Sequence, residues 1–367
     1  MILFLHHRYR TTGGEERVVS DLRWLAEEHL GERTALMERD SAGVGRAAAA
    51  AGLIGGGLRP QAVADAVRAT GARVVHAHNL NPTLGWRALA AAREAGARTV
   101  LHLHNYRLVC AVGTCFTRGA DCTRCHGRDT TPGVRLNCRG TGPEAVAYGI
   151  SLALWQRRLV AQADAVVVPS EAAAARLREL GAPLPAHVHV VGHVVREFAD
   201  APAAGRSHAL IASRLAPEKG IETAIEACRS AGIPLVIAGD GPERERLEAL
   251  AGGGDVRFAG RVGADELGRL RADAGVALVP SRSRETFGLA AAEAMAAGVP
   301  VVASRIGALA ELVADEGALV APGDVRALAA AARARFGDTV AAERGLARVR
   351  AVAAPEAVAP ALAAVYE

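Results

Sequence analysis

The sequence predicts an α/β protein of two domains, each a parallel sheet packed between helices. Three observations carry this reading. The chain has 367 residues, and a domain takes roughly 100–200. Short apolar runs alternate with longer helical patterns, and the alternation occurs twice. The apolar runs are nearly continuous, as in strands buried on both faces of a sheet. Half of the residues are hydrophobic and 22% are charged, a composition ordinary for a soluble globular chain with enough material for two cores. Aromatics make up only 4%, so those cores are built from Ala, Val and Leu.

In the first half, "MILFLH", "RVVHAH", "RTVLHLH" and "AVVVPS" read as strands, with amphipathic helical stretches at 16–30 and 61–70 between them. Residues 106–142, rich in Gly, Thr, Arg and Cys, show neither period and read as an insertion after "RTVLHLH". "REFADAPAAGRSH" has the composition of a linker. Beyond it "HALIAS", "PLVIAG", "VRFAG", "VALVPS" and "PVVAS" are strands, with a helix at 221–231. The expected boundaries are a Rossmann-like domain at 1–195 and a second at 206–350. A terminal helix at 351–367 is expected to return to the first. Open α/β sheets bind ligands at the carboxyl ends of their strands, so the two domains are expected to face each other across a cleft lined by those ends.

The net charge of +4 comes with no Lys/Arg block interleaved with aromatics, which argues against a nucleic-acid partner. "MILFLHHRYR" is too short an apolar run for a signal peptide. No stretch approaches about 18 uninterrupted apolar residues. The expectation is a cytoplasmic protein with a small soluble ligand.

"ASRLAPEKG" places Arg214 and Lys219 five apart around a proline turn after a strand. That suits a fork and a point charge converging on a diphosphate, and equally a solvated loop. "IAGDGPER" puts Gly239 at a strand end, where glycine permits close backbone approach to a ligand. A plain turn fits as well. "SRSRETFGLAAAEAMAAGVPVVAS" carries Glu285 and Glu293 across a helix start, with Thr286 as the expected N-cap. Eight helical residues rise about 12 Å, so the two acids cannot grip one atom. About 100° per residue leaves their directions roughly 80° apart. They could then touch two parts of one long ligand, with phosphate at the helix N-terminus. The alternative is two acids that serve the helix dipole and a solvated face.

The set of motifs resembles the retaining GT-B glycosyltransferases of family 4, the group 1 glycosyl transferases. The E-x7-E block of Glu285 and Glu293, "SRLAPEKG", "AGDGPE", "VRFAGRV" and "TTGGEERVVSDLRWLAEEHL" occur in that family's order over almost the whole chain. The resemblance implies a nucleotide-sugar donor and a role for each residue. Arg214 and Lys219 would hold the donor diphosphate. Glu285 would bind sugar hydroxyls, with the amides of Thr286, Phe287, Gly288 and Leu289. Glu293 would bind ribose, and Arg261 and Val262 would lie near the base. Gly13 and Gly14 would face the phosphates. His104, at the end of "TVLHLH", would stand near the donor sugar, and His78 near the acceptor. The family often has two glycines where this chain has Gly307-Ala308, and an Asn-Gly where it has Gly192-His193. His193 then lies in the cleft or at the hinge. Retention without an evident nucleophile implies front-face transfer. No Asp-x-Asp motif occurs, so no metal is expected in the chemistry.

Five cysteines, Cys110, Cys115, Cys122, Cys125 and Cys138, crowd into the insertion as C-x4-C-x6-C-x2-C-x12-C. C-x2-C is half of a common tetrahedral zinc site, and four of the five, or His126, could complete it. A structural zinc, free thiols and disulfides are the three readings. Cys228 reads as a buried helix residue. Two alternatives to sugar transfer remain: a nucleotide-sugar epimerase of the same fold, and a non-catalytic binder that uses the cysteine segment as an interaction surface. Donor hydrolysis separates them.

Overall fold

The computed structural model describes residues 1–9 and 14–367. The chain forms two compact units. The first comprises 1–117, 122–194 and 355–367, and the second comprises 118–121 and 195–354.

In the first unit, β1 (Ile2–Arg8) sends Leu3 and Leu5 into one core and Ile2 and Phe4 into another. Both faces are covered, which is why residues 2–5 are all apolar. Helix α1 (Gly14–Leu30) buries Val18, Val19, Leu22, Leu25 and Ala26, a stripe at helical spacing. β2 (Thr34–Asp40) is only half-buried at the sheet edge and ends in Glu-Arg-Asp. It lacks the continuous apolar run that marks the other strands, so the sequence reading passed over it. Then come α2 (Arg46–Gly55), α3 (Gln61–Thr70), β3 (Val74–Ala77), α4 (Gly85–Glu94) and β4 (Arg98–His102). The insertion folds as a short strand pair, β5 (Phe116–Thr117) and β6 (Ala120–Asp121), followed by the short helix α5 (Thr131–Arg135). Helix α6 (Gly142–Ala161), β7 (Ala165–Val168), α7 (Glu171–Glu179) and β8 (His189–Val190) complete the run. Ser170 caps α7, accepting from the Ala173 amide at 3.0 Å. The strands pair in parallel in the order β2-β1-β3-β4-β7-β8.

The second unit contains β9 (His208–Ala212), α8 (Ile221–Ala231), β10 (Leu235–Ala238), α9 (Arg244–Ala251), β11 (Val256–Gly260) and α10 (Ala264–Ala272). These are followed by β12 (Ala274–Val279), α11 (Leu289–Ala296), β13 (Val301–Ser304), α12 (Ala308–Val313), β14 (Leu319–Val320), α13 (Val325–Arg335) and α14 (Thr339–Ala353). Again alternate residues serve two cores: Ala209, Ile211, Leu235 and Ile237 face one, Leu210, Val236 and Ala238 the other. Fully burying one such Leu or Ile contributes about 1.5–3 kcal/mol. The parallel order is β11-β10-β9-β12-β13-β14. This is the doubly wound order, and its reversal point lies between β9 and β12.

The linker is not a free tether. Its backbone docks within the second unit, Ala199 N to Ala296 O at 2.8 Å and Ala203 N to Gly298 O at 2.8 Å. The last helix, α15 (Pro355–Tyr366), belongs to the first unit and buries Val358, Leu362 and Val365 in the core that α1 shares. The stretch Thr339–Tyr366 is long and apolar enough to cross a membrane, with a mean hydropathy of 1.2. It consists of α14 and α15, which lie in different units.

Candidate active site

In the second unit the loops after β9 and β12 meet at the reversal point of the sheet. Lys219 follows β9 and Glu285 follows β12, and Lys219 Nζ donates to Glu285 Oε1 at 2.6 Å. The Ser281 hydroxyl donates to the same oxygen at 2.7 Å. Burial pushes the Glu285 carboxyl up, but the Lys219 ammonium, the Ser281 hydrogen bond and the charge of Arg214 outweigh it and hold it below the ordinary value. Glu285 is therefore a carboxylate at neutral pH. Arg214 is half-exposed and paired with Glu218, whose side chain is nearly buried. Glu293, on α11, is paired with Arg271. The first two pairs put two cations, Arg214 and Lys219, and two acids, Glu218 and Glu285, on the loops that leave β9 and β12.

The helix start differs from the expectation. Thr286 is not the N-cap. That position belongs to Gly288, with φ 92, and the helix begins at Leu289. This left-handed backbone is strained for a β-branched residue and open to glycine. Glu285 thus sits in the loop, four residues ahead of the helix, and the rotation argument does not relate it to Glu293. Its backbone carbonyl instead accepts from the Ala308 amide at 3.0 Å. Gly307 allows this approach, since a Cβ there would lie 2.7 Å from Glu285 O. Phe287 turns its ring into the core, leaving the backbone as its polar contribution. Val262 packs against that core as well, and Arg261 is exposed.

Gly239 also serves a different neighbour. At φ 143, a Cβ would fall 1.9 Å from Ser213 O. The close approach that requires glycine is to the protein's own backbone, where the loop carrying Arg214 begins. Gly239 holds that loop against the end of β10.

In the first unit, alternation places His76 and His78 on one face beside His102 and His104. His78 Nδ1 and His104 Nε2 share a hydrogen bond of 2.6 Å, and their rings stack at 4.9 Å. His76 Nε2 meets His102 Nδ1 at 3.2 Å, and His76 Nδ1 meets the Tyr366 hydroxyl at 2.8 Å. His193 lies against His104, with ring centroids 5.7 Å apart. Burial pushes His76 down to about 3 and His193 to about 4, and carries His78, His102 and His104 well below the usual range. These are neutral imidazoles. Ring nitrogens of His76, His78 and His102 lie within 4.8 Å of one another. Imidazole lone pairs lie in the ring plane, however, and His76 and His102 are stacked at an interplanar angle of 9°. Such rings do not aim at one ion.

His78 and His104 border a pocket shared with Glu15, Asn105, Trp86 and Trp155. Asn105 Nδ2 donates to Glu15 Oε1, and burial raises the Glu15 carboxyl against the pull of Arg107. The sequence reading missed Glu15, Asn105 and the tryptophans. "HNYR" directly after the histidine strand was the available signal. Gly14 opens α1, and Gly13 lies outside the described residues.

The five insertion cysteines line one small cavity in the first unit, and none is in a disulfide. His126 does not line it; its ring lies against Gly181 instead. Cys228 is buried on α8, where burial pushes its thiol up to about 12.

Two family descriptions match the chain in succession. "Glycosyl transferase 4-like domain" covers residues 26–193 and "Glycosyl transferases group 1" covers residues 206–338. The chain belongs to the group 1, family 4 glycosyl transferases. Among curated relatives, a glycogen synthase of Mycobacterium tuberculosis is 36% identical over 202 residues, 51% of this chain and 49% of that protein. A GDP-mannose-dependent alpha-(1-6)-phosphatidylinositol dimannoside mannosyltransferase of the same species is 46% identical over 112 residues, 29% of each chain. The chain spans about half the length of the first of these and under a third of the second. Solved structures agree on the fold, which is GT-B. Sucrose-phosphate synthase from Thermosynechococcus elongatus aligns over 100% of this chain and 98% of its own, with TM-score 0.69 and 23% identity. Anabaena HepE in complex with UDP and glucose aligns over 99% and 98%, with TM-score 0.64 and 20% identity. As a group 1 glycosyl transferase, the chain carries its E-x7-E acids and its Arg–Lys loop on the unit matched by the group 1 description.

Proposed function

We propose that this chain is a retaining glycosyltransferase that moves a sugar from a nucleoside-diphosphate sugar to a hydroxyl of a small soluble acceptor in the cytoplasm. The carrying observation is the Lys219–Glu285 pair at the reversal point of the second sheet, where doubly wound folds bind nucleotides. Arg214 and Lys219 hold the diphosphate and stabilise the charge that grows on it as the sugar departs. Glu285, fixed by Lys219 and Ser281, binds sugar hydroxyls. The amides of Thr286 to Leu289 assist, and Glu293 binds the ribose. His104 is neutral, so it offers the donor sugar a hydrogen bond without a charge. The pocket beside it, with Glu15, Asn105 and the two tryptophans, receives the acceptor.

The reaction is front-face displacement. The bond from the anomeric carbon to the phosphate oxygen breaks, and the acceptor oxygen bonds to the same face of that carbon. The acceptor proton passes to the departing phosphate. This route uses no protein nucleophile and no metal.

A thermal-shift panel of UDP-glucose, GDP-mannose and other nucleotide sugars identifies the donor, and product analysis then reads the anomeric configuration. Inversion would overturn the retaining mechanism. Stabilisation by no nucleotide sugar in the panel would overturn the donor assignment.

A further inference from the structure

We propose that Cys110, Cys122, Cys125 and Cys138 bind one structural zinc ion in the first unit, with Cys115 beside the site rather than in the ligand set. The sequence separates these four thiols by up to 28 residues, and the fold brings them to one cavity with Cys115. The cavity is ≈ 20 Å³, which is room for about one water-sized particle. A single ion fits where a ligand molecule does not.

The segment needs such a staple. From Phe116 to Glu144 no apolar side chain is buried, yet the chain there is ordered into a strand pair, a short helix and tight turns. Hydrogen bonds tie its edges down: Gly127 N to Leu180 O at 2.7 Å, Gln156 Nε2 to Gly127 O at 2.6 Å, and Thr130 Oγ1 to Gly149 O at 2.8 Å. Net hydrogen-bond contributions are modest. A segment without its own core falls short of the conformational entropy it must lose. Four thiolates on zinc supply folding free energy directly.

The ligand set follows from position. Cys122 and Cys125 form the C-x2-C half-site. Cys110 and Cys138 line the same cavity and supply the other half. Cys115 is different: it is 1% exposed and lies within the main apolar core, which Cys110 and Cys125 only border. Its burial there sets it apart from the four half-buried thiols, which form the ligand set. Among the described residues the only three donors mutually within 4.8 Å are the stacked histidines, so the thiols ring their cavity more loosely. Zinc–sulfur bonds of about 2.3 Å place tetrahedral thiolates roughly 3.8 Å apart, so metal binding contracts the ring. Four protein ligands leave zinc no open position, so its role is structural.

The test uses the full chain, purified without a histidine tag from zinc-supplemented medium. Elemental analysis should give about one zinc per chain. Cobalt added after chelation should show the absorption of tetrahedral cobalt thiolate. Cys125→Ser should lose the zinc, and Cys115→Ser should keep it. Chelation should open residues 116–142 to limited proteolysis and leave nucleotide-sugar thermal shifts in place. Because that shift reports the second unit, failure of the zinc proposal is distinguishable from failure of the donor assignment. A zinc-free protein whose five insertion thiols all titrate in the native state would overturn the proposal. So would disulfides among them by mass spectrometry, or equal zinc loss from Cys115→Ser and Cys125→Ser.

Discussion

Lys219 Nζ and Glu285 Oε1 lie 2.6 Å apart across the point where the second sheet reverses its strand order. One residue follows β9 and the other follows β12, 66 positions later. Lys219 both positions Glu285 and, under the proposed function, reaches the diphosphate. Lys219→Ala should therefore lower turnover by about 10²-fold or more, the effect of losing one electrostatic donor worth about 2.7–4 kcal/mol. Arg214→Ala should also reduce it. Steady-state rates near wild type for both variants would refute the diphosphate clamp.

The two acids should separate by ligand. Glu293→Ala should weaken binding of the bare nucleoside diphosphate, since it removes the ribose contact. Glu285→Ala should spare that binding and damage sugar transfer. Calorimetry with the nucleotide alone measures the difference, and equal affinity losses would contradict the division of roles.

His78 orients His104 through their shared 2.6 Å hydrogen bond. A hydrogen bond of net worth about 0.5–1.5 kcal/mol predicts a fall in kcat of about 3- to 10-fold for His78→Phe, with donor KM little changed. His104→Ala should cost more. If His78→Phe matched His104→Ala, His78 would be acting on substrate itself.

Acid should destabilise the first unit before the second. An unfolded imidazole takes up a proton near pH 6.5, whereas folded His76 and His193 do so only near about 3 and 4. Between those values the unfolded chain holds more protons, so stability is fully present above about 6.5 and is lost as pH falls. Each such ring costs up to about 1.4 kcal/mol per pH unit. Hydrogen exchange at pH 5 against pH 7 should show β3 and β4 losing protection while β12 and β13, which carry no histidine, keep it. Uniform loss would refute this.

Gly239→Ala should destabilise the second unit by more than about 1 kcal/mol, because the new Cβ meets Ser213 O at 1.9 Å. Gly268→Ala, inside α10 with nothing within 4 Å of the new Cβ, should not destabilise and serves as the control. Denaturant midpoints of the two variants make the comparison.

The α/β class was legible in the sequence because strands buried on both faces need long apolar runs, as β12 has throughout and β1 and β9 have over residues 2–5 and 209–212. Helices 61–70 and 221–231 were legible for the same kind of reason: their buried residues recur at helical spacing. The half-buried β2 was not legible, since an edge strand does not need that run. The acids and cations of the second unit were visible as motifs, but their pairing was not. Glu285 finds Lys219 only because two loops 66 residues apart leave adjacent parallel strands. The start of α11 was misplaced because Gly288, rather than a capping side chain, makes the turn. The requirement for glycine at 239 comes from the neighbouring backbone of Ser213, which the local sequence does not contain. The histidines were readable as alternating strand residues, yet their neutrality was not. That is a consequence of burial among four other rings and Tyr366, which α15 brings in from the far end of the chain. Sequence determined which residues must face a core. Tertiary structure decided which charged and polar groups meet, because those encounters depend on strand order rather than on distance along the chain.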